Sequence, residues 1–105
     1  GGDVVFVSPP SAGVLLANEN RRLSRARGWD RLLAAAKVRG LYYQDNATTR
    51  ALLPAENSHL LRGCARVYTD AYVRELTRVS PRLTLRSDAP APLSANDCPP
   101  PPIPP

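Results

Sequence analysis

The chain has 105 residues, a formal net charge of +5, 43% hydrophobic residues and 22% charged residues. These values are typical of one small globular domain and not of a disordered or fibrous chain. The longest apolar runs, Val4–Val7 and Leu32–Ala36, are much shorter than the roughly 20 residues of a membrane-spanning helix, so no such helix is expected.

The amino-terminal part predicts one strand and one helix. Val4–Val7 is β-branched and aromatic and is followed by Ser8 and two prolines, which predicts a strand buried on both faces. Ser11 is a candidate N-cap for a helix that continues to about Arg27 and ends at Gly28. A thin apolar stripe on this helix is formed by Val14, Leu15, Leu16 and Leu23.

A second helix and a second strand are expected next. The helix should begin at Trp29 or Asp30, with Gly40 as the glycine that follows its carboxyl end. Leu41–Tyr43 predicts a short strand that ends in a turn at Asp45-Asn46.

The most regular pattern lies in the second half of the chain. Pro54 suits the first turn of a helix, and Glu56 favours its positive amino-terminal end. The helix should end before Ser80-Pro81, because the residue before a proline is driven out of the helical conformation. Arg82–Arg86 alternates polar and apolar residues and predicts an edge strand. Apolar residues at helical spacing form the expected buried face: Leu61, Cys64, Ala65, Tyr68, Tyr72, Leu76 and Val79.

These elements together predict an α+β fold of order βααβαβ, with three helices packed against a short sheet in residues 1–86. Residues 87–105 differ sharply, since eight of these nineteen residues are proline. We expect this segment to be an extended polyproline II tail outside the folded domain. The 1–86 segment carries 14 basic and seven acidic residues, whereas the tail has two acidic residues and no basic one.

Only two cysteines, Cys64 and Cys98, are present, and they are 34 positions apart. They are too few for a four-ligand structural zinc site and too distant for a CxxC redox motif. A disulfide between them is favoured over two unrelated thiols, because a free thiol at Cys98 would be exposed in the tail. A disulfide implies an oxidising compartment. The start at Gly1 without a methionine suggests a processed end, so we expect an exported protein that is periplasmic, in the cell envelope or extracellular.

No catalytic motif, metal-binding pattern or phosphate-binding loop is present in the sequence, and we expect neither an enzyme nor a cofactor nor a small-molecule substrate. Glu56 and His59 have the spacing of two metal ligands on one helical face, but the pair occurs once, and a helix-capping histidine is the favoured interpretation. Asn46-Ala47-Thr48 is a glycosylation sequon of little weight, because short sequons arise by chance.

Two features point to a binding role. Five arginines in eleven residues form a candidate patch for an anion or an acidic partner: Arg21, Arg22, Arg25, Arg27 and Arg31. A solvated basic helix face is the simpler interpretation of this cluster. The end of the tail is a candidate docking segment, with an inert spacer as the alternative: Pro99, Pro100, Pro101, Pro102, Ile103, Pro104 and Pro105.

The sequence therefore predicts a non-enzymatic exported subunit of a larger envelope or extracellular assembly, in a hetero-oligomeric complex with protein partners. One alternative is a secreted ligand or inhibitor whose arginine-rich surface binds an acidic target. A weaker alternative is a nucleic-acid-binding accessory domain, for which no recognised module is present. Any membrane association is expected to be peripheral.

Overall fold

The structure, a computed structural model, describes residues 2–98. The described chain is a small α+β domain with three main helices and a two-stranded parallel sheet, which confirms the predicted fold class. Tyr43–Asp45 and Ala95–Asp97 are short 3-10 turns. The strands and α-helices follow in this order: β1 (Val5–Ser8), α1 (Gly13–Arg22), α2 (Trp29–Ala36), β2 (Arg39–Tyr42), α3 (Ala47–Arg50) and α4 (Arg62–Val79).

The sheet consists of β1 and β2 in parallel, with Val5 opposite Arg39 and Ser8 opposite Tyr42. Parallel strands need a long crossover connection, and α1 and α2 supply it. Gly40 lies inside β2, where a Cβ would stand 2.5 Å from Trp29 Cζ2. This close approach, rather than a helix end, explains the glycine.

Helix α2 ends at Ala36 with Lys37 as its C-cap, so the prediction of Gly40 as its terminating glycine is wrong. Lys37 has a left-handed backbone (φ 55°), and its N–H donates to the carbonyl oxygens of Leu33 and Ala34. These hydrogen bonds satisfy the last carbonyls of the helix in a position that glycine usually occupies.

Helix α1 is shorter than predicted at both ends. The Ser11 hydroxyl does not cap it but donates to Glu19 Oε2 at 2.8 Å. At the carboxyl end, Leu23 has an extended backbone and the helix stops at Arg22. Residues 25–28 form a turn instead, with the Gly28 N–H donating to the Ser24 carbonyl.

Helix α4 ends before Ser80-Pro81 as predicted, but it begins at Arg62 rather than near Pro54. Glu56 accepts a hydrogen bond from Ser58 Oγ at 2.7 Å and lies 2.6 Å from His59 Nδ1. This local network satisfies the polar groups within a loop, so Pro54 and Glu56 do not mark a helix start.

The single-turn helix α3 was not predicted. Asn46 caps it, since Asn46 Oδ1 accepts from the N–H groups of Thr48 and Thr49. The turn signal at Asp45-Asn46 is therefore a helix N-cap. Asn46 is also the sequon asparagine, and its Nδ2 donates to Glu75 Oε1 at 3.1 Å.

The predicted edge strand Arg82–Arg86 is wrong. Residues 83–86 have no regular secondary structure, and Leu83 and Leu85 are exposed. Among the described residues, β1 and β2 pair only with each other. Leu83–Leu85 instead lies along α4, across an open groove that Val73 and Leu76 also line.

The small core lies around the middle of α4. Its most buried members are Tyr43, Leu52, Val67 and Ala71. Neither Val67 nor Ala71 belongs to the predicted apolar face, because α4 packs against several elements: β2, α3 and the carboxy-terminal segment.

Residues 90–98 are held against α4 by hydrogen bonds. Arg74 Nη2 donates to the Pro90 carbonyl at 2.5 Å, and the Leu93 N–H donates to Asp70 Oδ2 at 3.0 Å. Pro99–Pro105 lies outside the described residues, and so do the predicted polyproline II conformation and docking role of that stretch.

Candidate protein-interaction surface

The surface of α1 and α2 is unusual because neither helix contains a buried residue. Val14 is 72% exposed, Leu23 is 56% exposed and Leu32 is 49% exposed. The sequence suggested that the leucines of α1 form an inward stripe. Single exposed apolar residues are normal, but several on adjoining elements mark a contact surface.

Leu23 and Leu32, but not Val14, border a concave groove between α1 and α2, which we call the α1–α2 groove. Its volume is about 840 Å³, within the range of roughly 300–1,000 Å³ found for ligand sites. A Cβ on Gly28 would stand 2.7 Å from Leu23 Cγ, so the glycine leaves room for the Leu23 side chain at the turn between α1 and α2. The groove is lined by Ser8, Leu15, Asn18, Glu19, Asn20, Arg22, Leu23, Arg25, Gly28, Trp29, Leu32 and Tyr42.

Arg25 connects the floor of this groove to the rest of the domain. Its Nη1 and Nη2 donate to the two carboxylate oxygens of Asp45 at 2.6 and 2.7 Å, a bidentate pair. The guanidinium also lies 4.3 Å above the Tyr42 ring. The hydrogen bond from Arg25 lowers the pKa of Asp45, and the same bond raises the pKa of Arg25. Arg25 is therefore committed to internal contacts.

The other predicted patch residues have fewer contacts. Arg21 Nη2 donates to Asn18 Oδ1 at 2.7 Å. Of the five patch arginines, three have side chains that make no hydrogen bond or ion pair within residues 2–98: Arg22, Arg27 and Arg31. Residues 13–37 contain six basic and two acidic side chains, so the groove lies in a strongly basic surface.

The predicted disulfide joins Cys64, in the first turn of α4, to Cys98, with the two Cα atoms 4.7 Å apart. Neither cysteine is available as a nucleophile in this oxidised state. The bond is typical of an oxidising, extracytoplasmic compartment.

A second, smaller pocket lies between β2, α3 and α4. Its volume is about 110 Å³, and all four tyrosines of the chain line it: Tyr42, Tyr43, Tyr68 and Tyr72. Glu75, also at this pocket, accepts from Asn46 Nδ2 and from Arg78 Nη2 at 2.6 Å. Asp45 is paired with Arg25, so both carboxylates of the pocket, Asp45 and Glu75, are hydrogen-bonded within the protein. This arrangement is more typical of a structural role than of proton transfer in catalysis.

His59 lies in the exposed loop beside Glu56. In the part of the chain that the structure describes, no group of three or more metal-ligating side chains comes together. None of the helices in residues 2–98 is long and apolar enough to cross a membrane.

Comparison with known proteins gives no match to a family model, to a curated protein sequence or to a solved structure.

Proposed function

We propose that this protein is a non-enzymatic, extracytoplasmic subunit that binds a partner protein through the α1–α2 groove. The observation that carries this proposal is the lack of any buried residue in two of the three main helices. An amphipathic helix of a globular domain normally buries its apolar stripe.

Burial of this surface by a partner is favourable, because each Å² of apolar surface removed from water contributes roughly 25 cal/mol. The leucines of the groove lie beside Trp29 and Arg22, and aromatic and arginine side chains are enriched at protein interfaces. The disulfide supports an extracytoplasmic location for the complex. Pro99–Pro105 is a second proposed contact, since proline-rich segments lose little conformational entropy on binding.

The test uses two pairs of exposed leucines. Leu23→Ser/Leu32→Ser changes the groove, and Leu83→Ser/Leu85→Ser is the matched control outside it. Tagged full-length protein is expressed in the native source and analysed by size-exclusion chromatography. We expect the wild type and the control to elute in a complex and the groove variant to elute as the free chain.

Urea unfolding of all three proteins shows whether each variant is folded. If the folded groove variant remains in the complex in the same proportion as the wild type, the α1–α2 groove is not the interface and the proposal fails. Deletion of residues 99–105 tests the second contact separately.

A further inference from the structure

Resting on that proposed function, we infer that the α1–α2 groove binds an acidic amphipathic segment of the partner protein. Apolar side chains of that segment fill the groove, and its carboxylates pair with the surrounding arginines.

The positive charge of the surface favours an acidic partner. The side chains of Arg22, Arg27 and Arg31 have no hydrogen-bonding or ionic partner among residues 2–98. Arg22 lines the groove itself, and Arg27 and Arg31 directly precede the lining residues Gly28 and Leu32 in the chain. A guanidinium offers donors in a planar fork that matches a carboxylate in two parallel hydrogen bonds, as the Arg25–Asp45 pair does within this domain. A partner rich in Asp and Glu therefore complements this surface.

The apolar floor of the groove favours a partner segment with apolar side chains. Leu15, Leu23, Trp29 and Leu32 line it. A purely acidic segment would leave this apolar surface in water, and a purely apolar segment would leave the arginines without counter-charges. A segment with an apolar face flanked by carboxylates satisfies both.

Other occupants fit less well. A second copy would bring two basic surfaces together, and like charges repel. Pro99–Pro105 has no charged side chain to offer the arginines. An anionic bilayer is a broad surface that does not enter a concave groove, and nucleic acid has no apolar side chains to cover leucines.

The experiment uses the intrinsic fluorescence of Trp29, the single tryptophan of the chain, which lines the groove. The probes are two synthetic peptides of about 18 residues, or five helical turns, with leucines on one face and either glutamate or lysine on the flanks. We expect the glutamate peptide to shift the emission saturably, with an affinity that falls as salt is added. The lysine peptide should give no saturable change.

Matched charge reversals locate the effect. Arg22→Glu/Arg27→Glu reverses one charge in the groove lining and one directly beside the lining residue Gly28 in the chain. Arg62→Glu/Arg82→Glu makes the same change in net charge at exposed positions away from the groove. We expect the first pair to weaken glutamate-peptide binding about tenfold or more, equal to at least 1.4 kcal/mol, and the second pair by clearly less. Equal effects of the two pairs, or equal binding of the two peptides, would overturn the inference.

Vesicles containing phosphatidylglycerol form the third arm. If vesicles shift Trp29 emission with the same arginine dependence and the glutamate peptide does not, the partner is a lipid surface and the inference is wrong. If neither peptide binds but the native complex is lost in Leu23→Ser/Leu32→Ser, the inference of an acidic partner is wrong. The proposal that the α1–α2 groove is a docking surface then still stands. A native complex that persists in that leucine variant rejects the proposed function itself.

Discussion

Removal of the Cys64–Cys98 disulfide should strongly destabilise the domain. The bond joins two residues 34 positions apart and closes the loop between them. This loop contains all of α4 except its first two residues, together with the carboxy-terminal segment that packs against the helix. In the chain-entropy treatment, a cross-link over a loop of this length stabilises the folded state by about 4 kcal/mol, because it restricts the unfolded chain. The perturbation is the Cys64→Ser/Cys98→Ser double variant.

The contribution of the disulfide is large compared with the total free energy of unfolding. Small domains have free energies of unfolding of about 5–15 kcal/mol, and a domain with so few fully buried side chains is expected near the lower limit. A loss of about 4 kcal/mol would lower the melting temperature by roughly 15–30 °C. The hydrogen bonds from Arg74 to Pro90 and from Leu93 to Asp70 remain available, so the variant should still fold in the cold.

The assay is equilibrium unfolding in urea, followed by circular dichroism. We expect the midpoint of the double variant to fall by about 2–3 M, and reduction of the wild type to have the same effect. The reductant should leave the variant unchanged, which serves as the control. A difference in unfolding free energy below about 1 kcal/mol would refute the reasoning, because the unfolded chain would then gain little freedom from the lost cross-link.

Three further predictions concern stability. Gly40→Ala should lower the free energy of unfolding by about 1–3 kcal/mol through overpacking, whereas Gly2→Ala, with no atom within 4 Å of the added Cβ, should have no effect in urea unfolding. Asp70→Ala should cost about 1–3 kcal/mol in the same assay, because the Leu93 N–H loses a charged acceptor; the exposed Asp88→Ala should cost below about 1 kcal/mol. Burial raises the pKa of Tyr68, so its contribution is present below the unfolded-state value of about 10 and is lost as the pH rises through the folded-state pKa. Urea midpoints between about pH 9 and 11 should therefore fall less in Tyr68→Phe than in the wild type, and equal falls would contradict this assignment.

The parts of the fold that the sequence predicts well depend on strong local patterns. The carboxyl end of α4 was predicted correctly because Pro81 restricts Ser80 locally. The disulfide was predicted because Cys64 and Cys98 are the only two cysteines and a free thiol at Cys98 would be exposed.

The wrong predictions concern residues whose conformation is determined by tertiary contacts and not by the local sequence. Leu83 and Leu85 alternate like strand residues, but among the described residues neither strand of the sheet pairs with them. Gly40 looks like a helix terminator, yet its role is a close contact with Trp29, eleven positions earlier in the chain.

The candidate surface was predicted only in part. The arginine cluster is visible in the sequence, but the commitment of Arg25 to Asp45, twenty positions later, is not. The exposure of Leu23 and Leu32 was missed because apolar residues on a helix normally indicate a buried face. The polar Asn18-Glu19-Asn20 stretch within the short helix α1 was the available signal that little of its surface is buried.

The parallel pairing of β1 with β2 has a consequence for a chain that emerges amino terminus first. Val5–Ser8 appears early but has no partner until Arg39–Tyr42 follows, and the Ser80 hydroxyl that donates to Asp3 arrives later still. Cys98 arrives after both. The domain therefore cannot complete its fold during most of its emergence, and an apolar β-forming segment stays exposed to aggregation throughout that interval. A factor that shields this segment as the chain emerges would raise the yield of folded protein.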